Sequence, residues 1–261
     1  MDAELLLAAV LGVPRARLLT LDEVPPDAAD RFAGLLDQRA SRVPLQHLTG
    51  TAPFRHIELA VGPGVFVPRP ETEQIAGWVL ARIAGLAVPT VVDLGSGSGA
   101  IALSVAHEHA GARVLAVERD AGAIEWTRHN AAARAAAGDT PVEVLAGDMT
   151  DRGLLRELDG AVDVVVSNPP YVPDDARLPR EVADHDPPLA LWGGPDGLDV
   201  VRGLLVTAAR LVRPGGWLGI EHADQQGSAL PALVRASGGW AGVTDHPDLA
   251  GRPRYTTAQR T

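Results

Sequence analysis

From residue 71 onward the chain alternates short apolar runs with stretches of helical periodicity, and this alternation restricts the fold more than any other feature. Runs at 88–94, 113–118, 142–146 and 162–167 read as buried strands, with helical spacing at 72–86, 99–109, 121–137 and 198–212. A further strand at 217–221 follows the Pro214-Gly215-Gly216 turn, a helix spans 225–236, and two closing strands fall near 240–245 and 254–259. Strands separated by helices pair mainly in parallel through right-handed crossovers. The expected fold is therefore α/β, a doubly wound, mainly parallel seven-stranded sheet with helices on both faces. Ligands of such sheets bind outside the carboxyl ends of the strands, where the strand order reverses. Residues 172–195, broken by Pro173, Pro179, Pro187 and Pro188, read as a long loop of the kind that is usually functional.

The segment ahead of the alternation divides in two. Residues 1–52 read as a small helical domain, with an apolar stretch at 3–11 and a restart at Pro25-Pro26-Asp27, where Asp27 is the expected N-cap. Phe32, Leu35, Leu36 and Arg39 follow at helical spacing, and a short helix or turn at 44–50 ends in Gly50. Residues 53–70 read as a β-hairpin linker that turns at Gly62-Pro63-Gly64 and returns at 65–67, and 71–261 as the sheet domain.

Composition removes several chemistries. The chain has no cysteine, so disulfides, thiolate metal sites and cysteine nucleophiles are absent. All 23 basic residues are arginine, which rules out a lysine Schiff base and a P-loop lysine. The eight histidines lack ligand-like spacing, so no metal site is expected; His222, beside Glu221 at a strand end, is the best candidate to line a site. Trp192 and Trp217 read as packing residues. A net charge of −10 counts against a nucleic-acid backbone as the main ligand. No apolar run reaches the ~18–20 residues that span a bilayer, and no signal peptide is evident. The expectation is a cytoplasmic monomer without a membrane or nucleic-acid partner.

Three motifs carry chemistry. Gly95-Ser96-Gly97-Ser98-Gly99-Ala100 follows the first strand and fits the loose G-x-G-x-x-G/A pattern, with Glu118 ending the next strand where it can take ribose hydroxyls. Nicotinamide dinucleotides and S-adenosyl-L-methionine both use this arrangement. Asp93 tilts the choice, because a carboxylate beside the loop can receive an ammonium, directly or through water, but repels a pyrophosphate. Asp148 and Met149, after the third strand, suit an adenine amine and its ring. Finally, Asn168-Pro169-Pro170-Tyr171 closes the fourth strand, and Asn168 is one of only two asparagines in the chain. Two prolines fix the backbone and remove two N–H donors, leaving rigid carbonyls, one amide and one aromatic face. Such a turn suits a planar –NH2 group. The Asn168 side-chain oxygen and the Pro169 carbonyl can accept its N–H groups, orient its poorly nucleophilic nitrogen and favour charge building there.

These residues together resemble the peptide chain release factor glutamine N5-methyltransferases, the HemK/PrmC family, over nearly the whole chain. PLQHLTG at 44–50, VPRPETE at 67–73, VDLGSGSGAIA at 92–102, NPPYVP at 168–173 and Glu221-His222 followed by Gln225-Gln226-Gly227 carry the resemblance. Asn-Pro-Pro-Tyr alone is shared with DNA adenine and some rRNA methyltransferases, which act on exocyclic amines; the PRPETE segment narrows the choice. The resemblance implies a class-I methyltransferase fold and methyl transfer from S-adenosyl-L-methionine. The implied substrate is the glutamine of the Gly-Gly-Gln motif in bacterial class-1 release factors, docked by the helical domain. It assigns Gly95, Gly97, Gly99, Glu118 and Asp148 to the cofactor and Asn168 to Tyr171 to the substrate amide, with Asn168 also at the cofactor. Two departures stand out. The family carries another helix ahead of the segment matching residues 2–6, so a shortened docking domain is expected, and Met149 stands where an aromatic often sits.

Overall fold

The computed structural model describes residues 1–21 and 23–261. Three helices, α1 (Asp2–Leu11), α2 (Pro26–Ala40) and α3 (Leu45–Thr49), pack together at the N-terminus. Helix α2 starts two residues earlier than expected. Pro25 is its N-cap and Pro26 its first residue, a position where the missing N–H costs nothing. Asp27 therefore lies in the first turn, where its charge complements the helix dipole, and does not cap.

A two-stranded hairpin follows, but not where the glycines pointed. Strands β1 (Thr51–Phe54) and β2 (Ile57–Ala60) pair antiparallel around Arg55 and His56. Arg55 adopts φ 51°, and tertiary contacts hold it there: its guanidinium grips Glu108 at 2.6 and 2.8 Å and its N–H donates to Glu73 at 3.0 Å. Residues 62–67 are no return strand. Val65 and Val67 bury against Ala52, Val61 and Ala123.

The sheet is built from β3 (Thr90–Leu94), β4 (Arg113–Glu118), β5 (Val142–Ala146), β6 (Val162–Ser167), β7 (Val212–Glu221), β8 (Trp240–Pro247) and β9 (Pro253–Arg260). Their order is β5-β4-β3-β6-β7-β9-β8; the first five in that order pair in parallel, and β9 is antiparallel to both its neighbours. β7 runs through Pro214-Gly215-Gly216, and its ladder with β6 shifts register between Val162 and Val164. Helices α4 (Glu73–Ile83), α5 (Ala100–Glu108) and α6 (Ala121–Ala136) precede or join the early strands. α8 (Asp199–Leu211) and α9 (Ala229–Ser237) belong to the other half; the expected helix at 225–236 opens as a separate 3-10 turn, Asp224–Gln226.

Alternation along each strand feeds two cores. Val91, Val164 and Val166 pack with Ile75, Val79 and Val105 of α4 and α5, whereas Val92, Leu94 and Val165 pack with Leu204 and Leu211 of α8. All four β6 valines are fully buried, each contributing about 1.5–3 kcal/mol relative to exposure. Burial on both faces is what makes these strands read as continuous apolar runs.

Residues 172–195 are more ordered than a loop. They contain α7 (Arg180–His185) and a 3-10 turn, Pro188–Ala190. A bridge between Val172 and Trp192 closes the segment on itself, with Val172 N donating to Leu191 O at 2.8 Å and Gly193 N to Val172 O at 2.9 Å. No helix among the described residues is long and apolar enough to cross a membrane.

Candidate active site

The chain runs from β3 outward to β4 and β5, then returns to β6 on the other side of β3. The order therefore reverses between β3 and β6, where Asp93 pairs with Val166. The glycine turn leaves β3 and the Asn-Pro-Pro-Tyr turn leaves β6 at this crevice. Just before both, the Ser167 hydroxyl donates to the Leu94 carbonyl and ties the strand ends together.

A cavity of about 310 Å³ opens here. Gly95 to Ser98, Glu118, Asp148, Met149, Asn168, Pro170 and Tyr171 line it, joined by Phe66, Arg69 and Thr72 from the linker side and by Leu178, Val182 and Leu189 from the segment after the turn. Its size falls within the range of small-molecule sites.

The glycine turn is fixed from three sides. Gly95 N and Ser96 N donate to the Val117 carbonyl at 2.8 and 3.0 Å, and Gly97 N donates to Glu118 Oε2 at 3.0 Å. From α6, Thr127 Oγ1 donates to Gly97 O at 2.5 Å and Asn130 Nδ2 to Ser98 O at 3.0 Å. Gly95 and Gly97 have φ 80° and 56°, a region that excludes most side chains. At Gly97 a Cβ would meet no protein atom within 4 Å, so this backbone stays open to a ligand.

Glu118 is set by its own strand end. Its Oε1 accepts from Arg119 N at 2.7 Å and from Asp120 N at 2.9 Å. Asp120 in turn caps α6 by accepting from Ala123 N at 2.9 Å. The Asp148 carboxylate accepts from Thr150 N and Oγ1 at 2.8 and 2.7 Å and from Arg119 Nη1 at 3.2 Å. Burial works to raise the Asp148 pKa, but these donors outweigh it and hold the pKa low.

Asn168 Nδ2 donates to Thr72 Oγ1 at 3.3 Å, which links the β6 turn to the PRPETE segment. Arg69 of that segment stacks over Phe66 at 4.7 Å and donates to Asp186 Oδ2 at 2.8 Å, just past α7. Burial pushes Asp186 up to about 6 against the pull of Arg69. Tyr171 is half-buried, and desolvation with the nearby Glu221 carboxylate raises its phenol pKa.

Three predicted site residues do not line the cavity. Asp93 is buried, with Oδ2 accepting from Ala102 N at 3.1 Å in the first turn of α5 and Oδ1 without a hydrogen-bond partner, so it props up the glycine turn from behind the cavity lining. Its burial raises its pKa to about 7. Gly99 is the N-cap of α5, and Pro169 is buried in the turn. His222 is also no lining residue. It is fully buried, with Nε2 2.8 Å from Asp245 Oδ1 and Nδ1 2.8 Å from the Ala223 carbonyl. Trp217 packs edge-on against Trp78, and neither Trp192 nor Trp217 lines the cavity. No cluster of metal-ligating side chains occurs among the described residues.

Sequence reasoning gave no site role to Thr127, Asn130 or Gln226, which hold the two turns in place; Gln226 entered only as part of a segment carrying the resemblance. Asn130 also bonds both polar groups of Ala60, at 2.8 and 3.0 Å, fastening the hairpin to the glycine turn. The scarcity of asparagine was a signal for Asn130 as much as for Asn168.

The donor set limits what the cavity can hold. Its two arginines are each paired, Arg69 with Asp186 and Arg119 with Asp148, while Glu118 and Asp148 face the glycine turn. Such a site opposes a pyrophosphate and favours a ligand with positive charge and hydroxyl donors. S-adenosyl-L-methionine fits this description.

Comparison with known proteins agrees with the geometry. Residues 1–50 match the PrmC N-terminal domain and residues 56–183 the methyltransferase small domain. A release factor glutamine methyltransferase of Mycolicibacterium smegmatis is 50% identical over 262 residues, covering 99% of this chain and 90% of the relative. One from Streptomyces coelicolor is 48% identical over 263 residues, with the same coverage of each chain. Among solved structures, a T. thermophilus 16S rRNA methyltransferase bound to AdoMet and guanosine superposes with TM-score 0.57 at 22% identity, covering 81% of this chain and 50% of the other. The hMettl16 catalytic domain bound to an RNA hairpin gives 0.58 at 16%, covering 78% and 75%. These two likenesses establish a class-I methyltransferase fold. The near-complete match to the first two relatives establishes more: the chain is a methyltransferase and belongs to the release factor glutamine methyltransferase family.

Proposed function

We propose that this protein methylates the side-chain amide nitrogen, N5, of the glutamine in the Gly-Gly-Gln motif of bacterial class-1 peptide chain release factors, with S-adenosyl-L-methionine as methyl donor. The observation that carries this reading is the convergence of the glycine turn and the Asn168 turn, from adjacent parallel strands, on one cavity. A cytoplasmic site of action accords with such a substrate. Residues 1–52 are assigned to docking the release factor, 53–70 to the linker and 71–261 to catalysis.

Bound at the glycine turn, the donor supplies an electrophilic methyl on sulfur. The glycine turn, tight at Gly95 and Gly99 and open at Gly97, admits with Ser96 and Ser98 the amino-acid end of the donor. Glu118 accepts from ribose hydroxyls, Asp148 accepts from the adenine amine, and Met149 packs on the ring. Asp93 acts from behind, through α5.

The chain's task at the substrate is orientation. An amide nitrogen has its lone pair delocalised and must be aimed. The Asn168 side-chain oxygen accepts one N–H of the glutamine amide and the backbone carbonyl of Pro169, whose ring is buried in the turn, accepts the other; Pro170 keeps the turn rigid, and Tyr171 packs on the amide face. As the C–N bond forms, the methyl's bond to sulfur would break with its electron pair left on a neutral thioether; positive charge grows on nitrogen, and these fixed acceptors stabilise it without reorganising. The surplus proton leaves the nitrogen to water.

The decisive experiment incubates the protein with methyl-labelled S-adenosyl-L-methionine and a class-1 release factor, beside a Gly-Gly-Ala variant, and maps the label by peptide mass spectrometry. Label on that glutamine alone is expected. Label elsewhere in the release factor, or only in added DNA or rRNA, would overturn the substrate assignment.

A further inference from the structure

Pro169 and Pro170 carry no N–H, so neither can tie the Asn168 turn down with a donor of its own. With φ fixed at both, a displacement of one peptide has few torsions to absorb it and passes to its neighbours. The turn is therefore held in place by what lies against its carbonyls.

Residues 193–197, Gly-Gly-Pro-Asp-Gly, lie against two successive ones. A Cβ at Gly193 would stand 2.7 Å from the Pro170 carbonyl oxygen and 2.6 Å from that of Gly197, both backbone atoms and both well inside van der Waals contact. Gly193 does not have a left-handed φ, so space alone excludes a side chain there. A Cβ at Gly197 would meet the Tyr171 carbonyl. Gly193 N also donates to the next carbonyl along, that of Val172, at 2.9 Å.

The other side of this bend is fastened to α8. Asp199 N donates to Gly193 O at 2.8 Å, and Gly197 N to Gly194 O at 3.0 Å. Asp196 Oδ1 accepts from Leu198 N at 3.0 Å, and Arg202 reaches Asp196 at 2.5 Å and Asp199 at 2.6 Å. Helix α8 is itself seated in the core through Val201, Leu204 and Leu205. Asp196 and Arg202 lie outside the cavity lining, so their bonds brace the bend and touch no ligand.

We propose that Gly193 and Gly197 are positioning residues: their backbone, braced on α8, sets where the Pro169 carbonyl and Tyr171 stand toward the substrate. That the substrate there is a glutamine amide rests on the methyl-transfer reading; the bracing of the turn does not.

Gly193→Ala inserts one methyl between bend and turn. Gly197→Ala inserts one at a φ of 73°. Gly160→Ala is the control, because Gly160 has φ 66° and a Cβ there would stand in open space, so it takes the strain without the contact. With release factor as substrate and cofactor saturating, Gly193→Ala and Gly197→Ala should each lower kcat on the order of 10-fold or more, since misplacing a substrate-orienting group by even about 1 Å slows turnover steeply. The Kd for S-adenosyl-L-methionine should stay near the wild-type value, as the glycine turn leaves another strand. Gly160→Ala should lose stability in urea and keep its kcat.

A second readout needs no substrate. The chain has only two asparagines, so labelling asparagine alone with 15N gives one set of amide signals for each, and Asn168→Ser assigns them by deleting one set. The Asn168 signals should move in Gly193→Ala and Gly197→Ala and hold in Gly160→Ala, while those of Asn130 hold in all three. Wild-type kcat in a folded Gly193→Ala protein, an equal loss in Gly160→Ala, a loss carried by cofactor affinity alone, or Asn168 signals that ignore both bend variants would overturn the proposal. If neither glycine variant folds, Arg202→Ala releases the outer anchor of the bend without adding atoms. It should then move the Asn168 signals and lower kcat, and no response would overturn the proposal equally. If the wild type leaves release factors unmethylated, the substrate reading falls and the Asn168 signals still decide whether the bend places the turn.

Discussion

The Gln226 side chain donates from Nε2 to the Tyr171 carbonyl at 3.1 Å. The same nitrogen donates to the Asp196 carbonyl at 3.1 Å, and Oε1 accepts from Ala223 N at 3.0 Å. One buried amide thus joins the end of β7, the Asn-Pro-Pro-Tyr turn and the bend at Gly193 to Gly197. Gly197 has φ 73°, and a Cβ there would collide with the Tyr171 carbonyl, so the bend packs directly against the turn. The rigidity of the turn comes from this clasp as well as from its prolines.

Gln226→Ala leaves the Tyr171 and Asp196 carbonyls without this donor and Ala223 N without its acceptor. A stability loss of roughly 1–3 kcal/mol is expected in urea unfolding. Turnover should fall more than cofactor affinity, because the clasp touches the substrate turn and not the glycine turn. Wild-type turnover in a folded Gln226→Ala protein would show that the prolines suffice.

Asn168→Ala removes the acceptor proposed for the substrate amide. At saturating cofactor and release factor, kcat should drop on the order of 10²-fold or more. Single-turnover methylation checks this without interference from product release. A loss confined to KM would assign Asn168 to binding alone.

Arg69→Ala strips Asp186 of its partner. Asp186 is 5% exposed and its Oδ1 already lacks a hydrogen bond. The cavity wall after the turn should loosen, with a loss of roughly 1–3 kcal/mol and a higher KM for cofactor. Asp186, already raised to about 6, should be pushed further up. Urea unfolding at two pH values tests both effects, and equal losses at each pH would argue against the pairing.

The buried Asp93 gives a pH dependence of defined sign. Its pKa rises from about 3.8 when exposed to about 7 in the folded protein, so between these values the native state binds more protons than the unfolded state. Stability from this group is complete below the lower value and is lost as pH rises through the upper one, at up to about 1.4 kcal/mol per pH unit. Asp93→Asn should flatten that fall. Unfolding midpoints of both proteins across the window decide the matter; parallel curves would mean that Asp93 does not titrate there.

The sheet was legible from its apolar runs, which in β3, β4 and β6 reflect burial on both faces. Residues 113–118, 142–146 and 162–167 stand in the structure with the limits their apolar runs indicated. Features that depend on distant partners were not legible. Arg55 turns the hairpin because Glu108 and Glu73 hold it, and nothing local marks an arginine as a turn residue, whereas Gly62-Pro63-Gly64 carries the usual signals without forming the turn. Helix α7 is too short to show a period. In the site, the glycine turn, Glu118, Asp148 and Asn168 could be found from spacing. Thr127, Asn130 and Gln226 could not, since each is defined by a carbonyl at least 30 residues away in sequence.

Arg39 lies between Asp2 at 2.8 Å and Glu181 at 2.7 Å, one side chain shared by the N-terminal helices and by α7, whose Val182 lines the cavity. A protein seated on the helices and a small molecule in the cavity are therefore coupled to whatever extent either disturbs this arginine. Such coupling is reciprocal: the factor by which one occupant alters the affinity of the other is the same in both directions. Under the docking proposed above, Arg39 gives a release factor on the helices and the methyl donor in the cavity a second line of communication, away from the reacting atoms.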